Sequence, residues 1–85
     1  MKNTAKQRSE ETAAFGRMIR SRRKLMGMTA EQLAEKANRS TREVGDIELG
    51  KVEPRLGTAL LLCNACNVDI GELKEFVPCE EQSYV

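Results

Sequence analysis

The chain has 85 residues (9.5 kDa), of which 40% are hydrophobic and 32% charged, and its net charge is +1. This length predicts one small domain, and the hydrophobic content is too high for a fully disordered chain. The longest uncharged apolar-rich stretch, residues 57–68, is far shorter than the ~20 residues that cross a bilayer, and no apolar run follows the basic start. The sequence therefore predicts a cytoplasmic protein with neither a membrane span nor a secretory signal.

Basic side chains are concentrated at the start of the chain, where residues 1–27 carry eight of them against two acidic ones. Residues 1–9 predict a flexible basic N-terminal arm, and a first helix follows over residues 10–26. Its inner face is an apolar stripe at helical spacing, made of Phe15, Met18, Ile19, Leu25 and Met26. Gly27 ends the helix as a C-terminal cap. A basic end on a nearly neutral chain is typical both of a protein with a polyanion partner and of a solvated arm.

A short second helix begins directly after this glycine. Residues 29–32 form a capping box, in which the Thr29 hydroxyl satisfies a first-turn amide and Gln32 reaches back. The inner positions of the helix are Leu33, Ala34 and Ala37. Asn38 follows, and we expect it to take the left-handed conformation that a sharp turn requires.

The third helix starts almost at once, because residues 40–43 form another capping box. Val44 and Ile47 are its inner positions, and Gly50 ends it. Gly45 lies in its middle, at a cost of ~1 kcal/mol relative to alanine. Two capped helices joined by so short a turn cross steeply, so the third helix projects from the body while the second braces it.

A fourth helix over residues 56–66 is the most apolar segment, and Pro54 marks the loop before it. It contains Cys63 and Cys66, which have the C-x-x-C spacing of redox motifs but pack as small hydrophobes when buried. Histidine is absent, and the third cysteine, Cys79, makes an odd number of cysteines without forming a second pair at metal-ligand spacing. The sequence therefore predicts no disulfide framework, no metal site, no cofactor and no enzyme.

Asp69 begins a predicted fifth helix that Pro78 ends, which completes an all-α, compact five-helix domain over residues 10–77. Residues 78–85 form a C-terminal tail. The apolar side of the fifth helix consists of Ile70, Leu73, Phe76 and Val77. This side belongs to the core, and its outer edge is also suited to a contact between two copies of the chain.

Residues that recur in one family are spread over residues 14–77: Arg23, Met26-Gly27-Met28-Thr29, Leu33-Ala34, Ser40, Val44, Ile47-Glu48, Gly50, Pro54 and Ala65-Cys66-Asn67-Val68. In combination they resemble the phage-repressor (lambda repressor-like), Xre-type helix-turn-helix family. The resemblance implies a five-helix domain with the helix-turn-helix at residues 29–49, whose third helix enters the major groove of double-stranded DNA. This chain departs from the family at several positions. The turn glycine is replaced by Asn38, Gly45 lies inside the third helix, and Glu43 and Asp46 would be repelled by a phosphate surface. Ala30 replaces a glutamine, and Arg39 replaces an apolar turn residue, so we expect Arg39 to keep its stem packed and its head in water.

The resemblance implies that four outward residues of the third helix read DNA bases: Thr41, Arg42, Glu43 and Asp46. An arginine makes a forked contact with guanine, and a threonine contacts a base edge or a thymine methyl group. The two carboxylates accept hydrogen bonds from cytosine. A solvated face, on which Glu43 serves only the helix cap, is the alternative interpretation.

Thr29, Lys51 and Arg55 match family positions that bind phosphates through side chains and helix N-terminal amides. Capping alone also explains Thr29, and solvation alone also explains the two loop cations. Arg23 and Glu48 match positions that form an internal ion pair between the first and third helices, which is a structural role.

Two functions fit these features. The first is a transcriptional regulator, a repressor, that binds double-stranded DNA as a homodimer and reads a near-palindrome. The alternative is a protein-interaction module on the same fold, such as an antitoxin or a regulatory partner. The alternative is favoured by the low net charge, the acidic Glu43 and Asp46, and an exposed Leu49. It is opposed by the arginine-rich first helix and by Lys51.

Overall fold

The computed structural model describes residues 2–69 and 71–72, and the side chains of residues 10–69, 71 and 72. Over that part of the chain the fold is all-α. Its helices are α1 (Lys2–Leu25), α2 (Ala30–Ala37), α3 (Thr41–Glu48) and α4 (Leu56–Ala65). Helix α2 packs against α3 and α4, and α3 packs against α1. Because α3 is held from one side only by these neighbours, its other side faces outward.

Helix α1 begins at Lys2, whereas the sequence predicts a separate arm over residues 1–9 and a helix from residue 10. Residues 2–9 contain neither proline nor glycine, and most of them are good helix formers, so no local signal stops the helix. At the other end, Gly27 follows the helix as the predicted cap, and it has a left-handed conformation with a φ of +72°. The last turn of α1 is basic, which complements the negative end of the helix dipole.

The core is made of side chains from all four helices and from the segment after α4. Its buried side chains are Phe15, Ile19, Leu33, Ala34, Ala37, Val44, Ile47, Leu62, Cys63, Ala65, Cys66 and Val68. All inner positions predicted for the second and third helices are therefore buried. The prediction is wrong for Leu25 and Met26, which are 79% and 39% exposed. They lie where the chain turns at Gly27, beyond the edge of the core.

The turn between α2 and α3 is closed by both the main chain and a side chain. Asn38 has the predicted left-handed conformation (φ 58°, ψ 46°), and the Arg39 amide donates to the Ala34 carbonyl at 2.8 Å. The Arg39 head does not simply extend into water as expected. Its Nε donates to Oγ1 of the buried Thr58 in α4 at 3.1 Å, so the turn is tied to α4.

Helix α4 carries apolar side chains around its whole circumference, and the other described residues bury only one side of it. Leu62 and Cys63 are buried in the core, whereas Leu56, Leu60 and Leu61 are exposed. Helix α4 therefore presents three leucines on a face that the described part of the chain leaves exposed.

Only the start of the predicted fifth helix is among the described residues. There the Glu72 carboxylate accepts from the Asp69 amide at 3.1 Å and pairs with Arg22 of α1. All four residues predicted for the apolar side of this helix lie outside the described residues, as does the tail over residues 78–85: Ile70, Leu73, Phe76 and Val77. Four helices rather than five are therefore seen in the described ranges.

Candidate nucleic-acid interface

Helix α3 has one buried side and one outward side. Val44, Ile47 and Glu48 are buried, whereas Thr41 and Arg42 are exposed. Arg42 makes no side-chain hydrogen bond or ion pair with any residue that the structure describes. Its guanidinium donors therefore remain available to a ligand.

The start of α3 is held by Ser40, whose hydroxyl accepts from the Glu43 amide at 3.0 Å. This is the hydroxyl half of the capping box that the sequence predicts. Helix α2 has the complete box, in which Thr29 Oγ1 accepts from the Gln32 amide and Gln32 Oε1 accepts from the Thr29 amide. The caps thus fix the first residue of each helix in the pair, and the first residue determines which side of the helix each later side chain occupies.

A groove of about 400 Å³ lies between α3 and the loop that leads to α4. Its lining includes Arg42, Glu43, Asp46, Val52, Arg55 and Thr58. Glu43 and Asp46 are partly buried at this groove, so they carry negative charge at the edge of the outward face. Three of the four predicted base-reading residues and one predicted phosphate-binding residue, Arg55, therefore meet around one concave surface.

The other predicted phosphate-binding residues lie at two separate places. Lys51 is exposed after α3, where its amide donates to the Asp46 carbonyl at 2.9 Å. Thr29 is exposed at the N-terminal end of α2, and its hydroxyl is already engaged by the cap. For Thr29 the capping role is therefore present in the structure, and a phosphate contact would be additional.

An ion pair connects α1 to α3 beneath this surface. Arg23 Nε donates to Glu48 Oε2 at 2.8 Å, and Arg23 Nη2 donates to Glu48 Oε1 at 3.0 Å. Nη1 of the same guanidinium donates to the Met28 carbonyl at 3.0 Å. The hydrogen bonds to Glu48 raise the pKa of Arg23 above its ordinary value. With side chains only 11% and 7% exposed, the predicted pair anchors α3 from its inner side.

The sequence model of a helix-turn-helix family matches residues 19–73. The chain belongs to this Xre/lambda repressor-like helix-turn-helix family. No curated protein and no solved structure is significantly similar to the chain. No helix in the described part of the chain has the length and apolar character needed to cross a membrane.

The match to the helix-turn-helix family begins inside α1 and includes α2, the turn, α3 and α4. All predicted base-reading and phosphate-binding residues lie within it, as do both partners of the ion pair. The first part of α1 lies before the matched residues, so the family says nothing of its role.

The sequence patterns did not predict that two glycines allow α1 and α3 to lie close together. A Cβ on Gly16 would lie 2.1 Å from the Ile47 carbonyl oxygen. Gly50, recognised only as a helix end, has a φ of +76°, and a Cβ there would lie 3.1 Å from Ala13. The one available signal for Gly16 is its place beside Phe15, inside an otherwise regular helix.

The C-x-x-C pair of this helix-turn-helix domain is buried in the core. Burial raises the pKa of the Cys63 and Cys66 thiols, which disfavours the reactive thiolate. The Cys66 thiol lies 4.0 Å from the Ile19 carbonyl oxygen of α1. These surroundings favour a packing role, and Cys79 lies outside the described residues.

Proposed function

We propose that this chain is a cytoplasmic, sequence-specific transcriptional regulator, a repressor, that binds double-stranded DNA as a homodimer. The observation that carries the proposal is the outward face of α3, where Thr41 and Arg42 are exposed while the inner side is anchored by the Arg23–Glu48 pair. A rigidly held helix with unengaged donors is what reading base edges in a major groove requires. The mechanism involves no catalysis, because occupancy of an operator is sufficient to block transcription.

Within this proposal the residues divide into two groups. Arg42 makes a forked contact with guanine, Thr41 contacts a base edge or a thymine methyl group, and Glu43 and Asp46 accept hydrogen bonds from cytosine. Three further residues contact phosphates and set the register on the duplex: Thr29, Lys51 and Arg55. The two carboxylates also repel the DNA backbone, so they weaken binding to random sequences more than binding to a matched one.

The homodimer places two copies of α3 one helical turn apart, roughly 34 Å, on a near-palindromic operator. Its proposed contact is the apolar side of residues 70–77, supported here by the sequence pattern alone. Sedimentation equilibrium tests it: we expect a concentration-dependent shift in mass that a charged residue at Phe76 removes. A strict monomer at high micromolar concentration that occupies one site per protein contradicts the dimer.

The DNA-binding proposal is tested by selection from random duplexes at physiological salt. We expect enrichment of a near-palindrome that is bound at least about a thousandfold more tightly than random DNA, which is typical of specific regulators. If no duplex is bound more tightly than random sequence, the regulator proposal is wrong.

A protein-interaction module is the second candidate, and one observation favours it. Val52, which is 41% exposed, lines the same groove as Glu43 and Asp46, and Leu49 at the end of α3 is 61% exposed. Such a surface fits a partner protein better than it fits phosphates. Failure of the duplex selection, together with saturable binding of one partner that Leu49→Asp abolishes, supports this candidate.

A further inference from the structure

Helix α1 carries three cations along one exposed face. Arg17, Arg20 and Lys24 are separated by three and four residues, the spacing that brings side chains to the same face of a helix, and all three are exposed. None of them makes a side-chain hydrogen bond or an ion pair with a residue that the structure describes. These three residues, the basic row, therefore present unpaired positive charge to the solvent.

Interactions within the described part of the chain do not account for the basic row. Its neighbours Arg22 and Arg23 are paired with the carboxylates of Glu72 and Glu48. The dipole of α1 favours cations in the last turn, which begins at Arg22, so it does not favour the two arginines of the row. Like charges three and four residues apart repel each other, so the row destabilises α1 in the free protein. A polyanion bound along the row would remove this repulsion.

The basic row begins where α1 touches the end of α3. Ala13 lies on the same face of α1, four residues before Arg17. A Cβ on Gly50 would lie 3.1 Å from Cα of Ala13, so the chain that leaves α3 rests against α1 one turn before the row. The next residue, Lys51, is exposed and is proposed above to contact a phosphate. The row thus extends along α1 from the place where Lys51 leaves the reading helix.

We propose that the basic row binds phosphates of the duplex that flanks each half-site, outside the base pairs that α3 reads. The inference rests on the proposed DNA-binding function and adds a contact that depends on the charge of the duplex and not on its sequence. At about 1.5 Å per residue the row is ~10 Å long, and the phosphates of one strand advance by about 3.4 Å along the duplex axis, so the row matches about three of them. The close contacts at Gly16 and Gly50 hold α1 against α3, so the row keeps a fixed position relative to the reading helix.

The experiment compares two duplexes that contain the selected operator. One ends at the last selected base pair, and the other extends by one helical turn, about ten base pairs, of arbitrary sequence on each side. Fluorescence anisotropy at several salt concentrations measures binding of the wild type and of the triple variant Arg17→Gln, Arg20→Gln and Lys24→Gln. For the wild type, the extension should tighten binding at least about tenfold and steepen the slope of log K against log salt by about three units per protomer.

The triple variant should bind the extended duplex only as tightly as the short one, and each single substitution should remove about one unit of slope per protomer. Glutamine is a good helix former, so thermal melting should show that these variants remain folded. Lys36→Gln is the matched control, because Lys36 is exposed in the last turn of α2, two turns away from Thr29. This control should gain from the extension as the wild type does.

Two results overturn the flanking contact while the regulator proposal stands. One is wild-type binding that does not change with the extension, and the other is a gain in binding that the triple variant retains in full. Failure to select any duplex overturns the regulator proposal and the flanking contact with it.

Discussion

Gly16 of α1 lies directly against Ile47 of α3, so close that a Cβ on the glycine would be 2.1 Å from the isoleucine carbonyl oxygen. The same Cβ would lie 2.9 Å from the carbonyl oxygen of Glu48. Both obstacles are backbone atoms, which cannot rotate away as the end of a side chain can. The distance between α1 and the end of α3 is therefore set by the absence of a side chain at one position.

Gly16→Ala should destabilise the protein, although alanine is the better helix former. The added methyl group forces α1 and α3 apart and disturbs the packing of Ile47, so we expect a loss of about 1–3 kcal/mol in the free energy of unfolding. Urea denaturation measures this loss. Gly57→Ala, on an open face of α4, is the control and should leave stability unchanged or raise it. A Gly16→Ala variant as stable as the wild type would show that the helices do not approach as described.

Arg23 and Glu48 should behave as a coupled pair. Arg23→Met and Glu48→Leu should each lower the free energy of unfolding by ~3–5 kcal/mol, because each leaves the partner charge buried and unpaired. The double variant should recover much of the combined loss. Denaturant unfolding of all four proteins gives the coupling energy. Additive single effects would mean that the pair contributes nothing as a pair.

Arg42 and Lys51 should separate base reading from phosphate binding. Arg42→Ala should cost about 1–3 kcal/mol on the selected duplex and little on random DNA, because a forked contact to guanine is lost. Lys51→Ala is the control: it should weaken both kinds of binding alike and reduce the slope of log K against log salt by about one unit. Fluorescence anisotropy at several salt concentrations measures both. Equal losses on the two kinds of DNA for Arg42→Ala would assign that arginine to phosphate instead.

Stability should fall in acid partly through Glu72. The hydrogen bond from the Asp69 amide, followed by the pairing with Arg22, lowers the pKa of the Glu72 carboxyl. Because the folded-state pKa lies below the unfolded value, this stabilisation is present above the unfolded value of about 4.3 and is lost as the pH falls through the folded value. Glu72→Gln should therefore be less stable than the wild type at pH 7, and the difference should shrink below about pH 4.3. Urea melts across pH measure the difference, with the exposed Glu35→Gln as control. A difference that does not change with pH would show that the Glu72 charge does not contribute.

Local chemistry was sufficient to place the ends of the short helices. The capping hydroxyls of Thr29 and Ser40 and the left-handed positions Gly27 and Asn38 could all be predicted, because each depends on groups within a few residues along the chain. The inner residues of α2 and α3 followed from helical periodicity for the same reason. The outward position of Arg42 was therefore also predictable before any tertiary structure was known.

The sequence by itself thus determined the helix-turn-helix and the side of α3 that faces outward. Only the tertiary structure decided the backbone contact at Gly16, the bond from Arg39 to Thr58 and the exposure of Leu25. It also showed that the fold does not require Gly45 to be a glycine. Each of these depends on which distant segments approach a residue, or fail to approach it. Periodicity and capping patterns depend only on the helix that contains a residue, so they cannot give the distance from that residue to a different helix.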